Sequence, residues 1–232
     1  TLLDNFHVRE DLNLRLLNNE EMLRMDLIGP IAEKILEKMG HDSDNFKWLF
    51  EGTRVLSSKY DLGKSKRFIN LINFEAIQNF VHKVVTFQNA NLISLEAFDL
   101  IRVAEGVPRA GVDYSTENFP QEAGLGSHIS YKKGCYIGQE PHARMYHRGH
   151  PNWLSVWLKI PKKLHAVAGS LLFQGGKEIG EITSFGESIK DEGFHHGIAM
   201  IRYEIAIENK LLALEPNQKP FIEHQPLPSN IK

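Results

Sequence analysis

The sequence predicts an α+β fold whose C-terminal part is a small, all-β body. Three observations carry that expectation. Apolar residues recur at spacings of three and four before residue 110, which places them on one face of a helix. After Pro151 the chain turns to short β-prone runs broken by glycines, the texture of a small barrel or sandwich. Between the two lies a stretch rich in Gly, Pro and Asn, residues 107–130, which reads as an ordered connecting loop. These textures predict a body over 1–150, a small barrel over 151–222 and a loose, polar, Pro-rich tail over 223–232.

Leu12, Leu14 and Leu16 alternate with polar residues, Asn18-Asn19 supplies a turn, and Leu23, Met25 and Leu27 alternate again. That pattern predicts a hairpin buried on one face. Gly29-Pro30 then opens a helix, "IAEKILEKMG", with Gly40 as its stop. His41 to Asp44 reads as a loop. "TRVLSSKYDLGKSKR" has no clean period, and its basic end (Lys64, Lys66, Arg67) reads as a solvated loop. Asn73 to Phe87 carries Phe74, Ile77, Val81, Val84 and Val85 at helical spacing. Ser94 is placed to cap a further helix, "LEAFDLIRVAEG", closed by Gly106 with Pro108 beyond. "NWLSVWLKI", "SLLFQ", "KEIGEITSF", "GIAMIRYEI" and "KLLALEP" supply the strands of the small barrel.

Hydrophobic residues at 42% and charged residues at 24% are the balance of a globular protein. A net charge of −2 creates no global attraction to nucleic acid or membrane, and no apolar run approaches the roughly 20 residues of a membrane helix. One cysteine excludes an internal disulfide and any all-cysteine metal site built by this chain alone. A reducing compartment is expected: the bacterial cytoplasm, or the mitochondrial matrix in a eukaryote. The opening "TLLDNFHV" has no methionine and reads as if it began inside a strand, so a fragment lacking an N-terminal segment is expected.

The lone cysteine lies in "SYKKGCYIGQEPHAR", Ser130 to Arg144. A single cysteine is by default a small buried hydrophobe. Its neighbours suggest otherwise. Gly134 and Gly138 permit backbone angles and close approaches that side chains block. Lys132 and Lys133 favour the thiolate, the form that attacks electrophiles and ligates metal. If "GQEPHAR" begins a helix, its amide end favours the thiolate further, and Pro141 confines the start of that helix to its own first turn. Between His128 and His150, four Lys/Arg (132, 133, 144, 148) stand against Glu140 alone. Either a solvated basic face or an anion site follows from that balance. His142, His147 and His150 match no standard zinc spacing, and the adjacent side chains of His195 and His196 would diverge on a strand. No aromatic-and-basic pattern of nucleic-acid recognition occurs, so direct nucleic-acid binding is not expected.

"KKGCYIGQE" resembles the K-G-C-Y-x-G-Q-E signature of the YgfZ family, folate-binding, iron–sulfur-related relatives of the glycine-cleavage T-protein. "IRVAEGVPRAGVD", "NFPQEAGL", "ARMYHRGHPNWLSVWL", "GSLLFQGGKEIGEITS" and "GIAMIR" are similar to further segments of that family, in order. The resemblance covers about residues 95–202 well and the first 90 loosely.

The resemblance implies a T-protein-like folate-binding body with a small barrel behind it. It implies that Cys135 is the functional thiol and a metal ligand, with Lys133 holding its thiolate form. Tyr136, Gln139 and Glu140 are expected to fix the loop by hydrogen bonds, and Arg144 to form an internal ion pair with Glu140 or Glu122. Because a cluster normally takes about four protein ligands, a transient [2Fe–2S] cluster would be shared with a scaffold or carrier protein. Tetrahydrofolate is the implied small-molecule ligand, with Arg102, Glu105 and Glu122 beside it and Asp4 as the catalytic acid. Two departures bear on this. The T-protein glutamate two residues after the arginine is Ala104 here, with Glu105 one position later, about 100° round a helix. The T-protein Asp-Asp pair reads Asp4-Asn5. The expected function is therefore support of iron–sulfur cluster assembly or repair, the alternative being a tetrahydrofolate-dependent aminomethyl or one-carbon transferase. Effects on tRNA modification would follow indirectly.

Overall fold

The computed structural model of the chain describes residues 21–42, 46–60, 65–87, 90–188, 191–208 and 210–227. The chain divides into two compact units, Thr1–Leu92 and Ile93–Lys232, each with its own hydrophobic core. The division falls well before residue 150, where the change of texture had placed it.

In the first unit, β1 (Met22–Ile28) is followed by α1 (Ala32–Lys38), β2 (Lys47–Phe50), β3 (Thr53–Lys59), β4 (Arg67–Asn73) and α2 (Ile77–Val85). The strands form an antiparallel sheet in the order β1-β4-β3-β2. The first half of the expected hairpin, Leu12 to Leu16, lies outside the described residues. Helix α1 stops as expected. Gly40 takes φ +99°, its N–H donates to the Glu37 carbonyl, and His41 N–H reaches back to Leu36. That arrangement satisfies two carbonyls the helix end would otherwise leave open.

The stretch Thr53–Arg67, which shows no clean period, holds β3 and the first residue of β4, and Lys64 of its basic end lies outside the described residues. Glu51 (φ +47°) and Gly52 (φ +82°) turn β2 back on β3, the paired positive angles of a tight hairpin. Arg67 is not solvated. It is buried at the start of β4 and paired with Asp26 on β1 at 2.5 Å. Polar residues also cross the sheet interior. Trp48 Nε1 donates to Ser57 Oγ (2.7 Å), Ser57 donates to Asn70 Oδ1 (2.6 Å), and Asn70 Nδ2 donates to the Met25 carbonyl (3.1 Å). Helix α2 follows a 3-10 turn, Phe74–Ala76, and buries Phe80 and Val84, while Phe74 and Val85 are exposed.

The second unit contains α3 (Leu95–Ala104), α4 (Gln139–Arg148), β5 (Trp153–Pro161), β6 (Leu171–Gln174), β7 (Lys177–Gly186), β8 (Phe194–Arg202), the short α5 (Tyr203–Ala206) and β9 (Glu223–Pro226). Ser94 caps α3 by accepting from Ala97 N, and Gly106 (φ +69°) ends it. The strands run β6-β7-β8-β5-β9. Leu212 and Ala213 join the two edges. Ala213 pairs with Phe173 of β6, and Leu212 pairs with Ile222, the residue before β9. The result is a small closed barrel, as expected. Leu154, Val156, Leu158 and Ile160 from β5 meet Leu172, Ile182, Ala199 and Ile201 in its core.

Residues 93–130 belong to this unit because they are tied to the barrel wall. Trp157 Nε1 donates to the Val103 carbonyl (3.1 Å), and Ser155 N donates to the Glu122 carbonyl (2.7 Å). Gly124 takes φ +77°, a conformation that residues with side chains rarely adopt, and packs against Leu227. Among the described residues no helix is long and apolar enough to cross a membrane.

Candidate functional site around Cys135

Upstream of the segment that carries Cys135 lies a charge cluster centred on the buried pair Arg102 and Asp113. Arg102, on the last turn of α3, donates to Asp99 (2.6 Å), to Asp113 (2.7 Å) and to Ser184 Oγ on β7 (2.9 Å). Asp113 also accepts from Arg109 N (2.8 Å) and from Thr183 Oγ1 (2.6 Å). Arg109 closes the cluster on Asp99. Each buried charge is thus paired and hydrogen-bonded, the condition under which burial is tolerated. The cluster ties the loop after α3 to the barrel.

From that cluster the chain reaches an aromatic clasp. Tyr131 stacks on Tyr146 with ring centres 4.1 Å apart, and Phe119 meets His142 edge-on at 5.8 Å. Gln121 ties the two halves together. Its Nε2 donates to Tyr131 OH (3.3 Å), and its Oε1 lies 3.0 Å from His142 Nδ1. His142 and Tyr146 are one turn apart on α4, so one helix face presents both. Burial pushes the Tyr131 phenol above its ordinary value, the Gln121 hydrogen bond opposing, so it stays neutral.

Between the halves of the clasp runs the loop with the cysteine. Gly138 takes φ +83° and starts α4, with Pro141 inside the first turn as the sequence requires. Lys133 N donates to Ser130 Oγ (3.2 Å), and its ammonium sits 4.4 Å above the Tyr136 ring. Cys135 is a free, exposed thiol, not a packed hydrophobe.

The expected site residues fall into separate places. Lys133, Cys135, Tyr136, Gln139, Glu140 and Arg144 share the loop and the start of α4. Their expected interactions differ in part from those that form. Gln139 joins through its backbone, its N–H donating to the Tyr136 carbonyl (3.2 Å). The Tyr136 hydroxyl is buried without a hydrogen-bond partner. Arg144 pairs with Glu140 at 3.2 Å on the surface, not internally, the side chains being 74% and 85% exposed. Glu122 is spent on its own loop, Oε2 accepting from Phe119 N (3.1 Å). Arg102, 4% exposed at its side chain, is held by Asp99 and Asp113. Glu105 is the half-buried C-cap of α3. Asp4 lies outside the described residues. Arg102 and Glu122 are thus both buried and engaged by partners within the protein. Phe119, Gln121, Tyr131 and Tyr146, which the sequence reading did not single out, are the residues that hold the loop. The spacing of His142 and Tyr146 was the available signal. Among the described residues, no group of three or more His, Cys, Asp and Glu side chains is placed to hold a metal ion.

The fold is that of the T-protein. The structure superposes on glycine cleavage system aminomethyltransferase T from Bartonella henselae with a TM-score of 0.70, covering 89% of this chain and 59% of that one at 19% identity. By sequence the chain is similar to an aminomethyltransferase of Desulfitobacterium hafniense, 28% identical over 174 residues, 71% of this chain and 47% of that protein. It is 30% identical over 128 residues to tRNA-modifying protein YgfZ of Photobacterium profundum, 54% of this chain and 37% of that protein. It is 32% identical over 116 residues to trimethylamine-oxide aldolase of Ruegeria pomeroyi, 49% of this chain and 14% of that protein. The chain thus spans less than half the length of each of these three relatives. No protein-family model matches it.

Proposed function

We propose that the chain supports iron–sulfur cluster assembly or repair, contributing Cys135 as one thiolate to a [2Fe–2S] cluster that a carrier protein brings and removes. The exposed thiol in the K-G-C-Y-x-G-Q-E loop carries this reading. An exposed cysteine on a clasped loop can reach a partner's cluster, which a core cysteine cannot. A [2Fe–2S] cluster takes about four protein ligands, and one thiolate supplies one, so the others belong to the carrier. In the exchange the Cys135 thiolate replaces one carrier thiolate on iron, and the displaced thiolate takes up a proton. The similarity to a YgfZ protein supports the reading, and any effect on tRNA modification is downstream of cluster supply. A reducing compartment suits an exposed free thiol. A folate remains part of the proposal through the resemblance and the T-protein fold.

The test is an anaerobic absorbance titration of the chain with a [2Fe–2S]-loaded carrier protein. Cluster absorbance is expected to appear on the wild type and not on Cys135→Ser, whose fold and melting temperature are unchanged. Equal uptake by both proteins removes Cys135 from the reading.

The similarity to an aminomethyltransferase over 71% of the chain favours a second reading, a tetrahydrofolate-dependent one-carbon transferase. Ala104, where T-proteins carry a glutamate, weighs against it. Turnover of a methylene unit on tetrahydrofolate that survives Cys135→Ser would establish this alternative.

A further inference from the structure

Resting on the reading of Cys135 as a ligand shared with a carrier, we infer that the adjacent surface docks an acidic protein segment through one large apolar side chain. Helix α4 is the first ground. None of its ten residues is buried, whereas α3, of the same length, buries Arg102 and Val103. Against the first two turns of α4 lies a depression of about 270 Å³, lined by Phe119, Glu140, Pro141, Arg144 and Met145. Its floor is apolar, from Phe119, Pro141 and Met145, and Phe119 is 41% exposed. Small-molecule sites usually measure roughly 300–1,000 Å³ and enclose their ligand, so this open depression suits a single bulky side chain better than a cofactor.

The loop supplies a second apolar contact. Ile137, two residues from Cys135, is 69% exposed. Docking that covers it would remove its apolar surface from water. The third ground is charge. Lys132, Lys133, Arg144 and Arg148 are all exposed, and Glu140 is the one acid between His128 and His150, in a chain whose net charge is −2. Arg144 lines the depression, Arg148 stands one turn further along α4, and Lys132 and Lys133 lie in the preceding loop, so the net positive charge of this stretch complements an acidic segment that presents an aliphatic or aromatic residue. These cations steer and orient encounter, and the buried side chain supplies most of the affinity. Nucleic acid would satisfy the cations but offers no aliphatic group for the depression.

The test uses the intact chain and labelled synthetic peptides read by fluorescence anisotropy. One is Asp/Glu-rich with a central leucine, the second has alanine in its place, and the third keeps the leucine among lysines. The acidic leucine peptide is expected to bind about tenfold more tightly than its alanine counterpart, from the burial of one side chain. Met145→Glu should abolish that preference. Arg144→Glu, a surface change, should weaken acidic-peptide binding and reduce its salt dependence. Should Met145→Glu fail to fold, Arg144→Glu and the peptide pair still decide. Equal binding of the leucine and alanine peptides overturns the depression as an anchor. Equal binding of acidic and lysine-rich peptides, or tighter binding of a single-stranded RNA of equal charge, overturns the acidic partner. Cys135→Ser should bind the peptides as the wild type does. Peptide preference without cluster uptake would therefore remove the role of Cys135 and leave the docking surface standing, and the converse would remove the docking surface alone.

Discussion

Gly180, within β7, takes φ +155°, and a Cβ built there would lie 2.1 Å from the Met200 carbonyl oxygen and 2.8 Å from Ile201 Cα. Both obstacles are backbone of the neighbouring strand, which cannot yield as a flexible side chain would. Gly180→Ala is expected to lose about 3 kcal/mol or more in urea unfolding, through overpacking of a closed barrel. A loss below about 1 kcal/mol would mean that β7 and β8 part more readily than their pairing suggests. Arg102 makes a different point at the same scale. Its side chain is 4% exposed and answers two aspartates, so Arg102→Met strands the buried Asp113 without its cation, while Asp99 keeps Arg109. Removing one partner of a buried pair costs about 3–5 kcal/mol. That loss should appear as a lowered denaturation midpoint rather than as altered ligand affinity of the folded protein. The sequence placed Arg102 and Asp113 together in one motif. Their role was not legible there, because Thr183 and Ser184, which complete the cluster, come from a strand some 80 residues further along the chain.

At the scale of elements, legibility followed how each element satisfies its backbone and buries its side chains. The stops at Gly40 and Gly106 and the cap at Ser94 rest on local chemistry, and the structure has them. Barrel strands β5 to β8 were legible as short apolar runs between glycines and turns, whereas β9 (Glu223–Pro226) pairs with β5 inside the polar, Pro-rich segment expected to be a loose tail. Strands β3 and β4 were not legible, because the sheet of the first unit buries Ser57, Asn70 and Arg67 where a simple pattern expects apolar residues. Helix α2 was found, but its buried face centres on Phe80 and Val84, because the 3-10 turn at its start rotates Phe74 into water. The loop of the candidate site was legible from its signature. The clasp that holds it was not, since Gln121, Tyr131 and Tyr146 meet only after folding. The buried polar chain through Asn70 yields a prediction for the whole sheet. Asn70→Ala leaves the Met25 carbonyl and the Ser57 hydroxyl without their partner, so β1, β3 and β4 lose their shared link. An unsatisfied buried group costs about 1–3 kcal/mol. Hydrogen exchange should rise in all three strands together, and a rise confined to β4 would show that the chain is not cooperative.

For the whole molecule, the division into two units has a consequence in acid. In the barrel unit, burial depresses the pKa of His196, with the charge of Asp191 opposing, and of His224, with backbone carbonyls including that of Ile205 opposing. A depressed histidine is protonated more readily in the unfolded chain. It therefore takes nothing from stability above the unfolded value of about 6.5 and subtracts progressively as pH falls below it. In the first unit the governing group is Asp26. Burial favours its neutral form, but hydrogen bonds from Arg24 and Arg67 outweigh that and hold it below the usual carboxylate range. A depressed carboxylate stabilises the fold above its unfolded pKa of about 3.9 and loses that contribution only as pH falls towards the folded value. The two units should thus soften in different windows. After correction for intrinsic exchange, β5, β8 and β9 are expected to lose hydrogen-exchange protection from about pH 6.5 downward, while β1 and β4 hold to about pH 4. His196→Gln combined with His224→Gln should remove the first phase and leave the second. If both units instead lose protection together near pH 4, histidine burial is not what sets the acid response of the barrel.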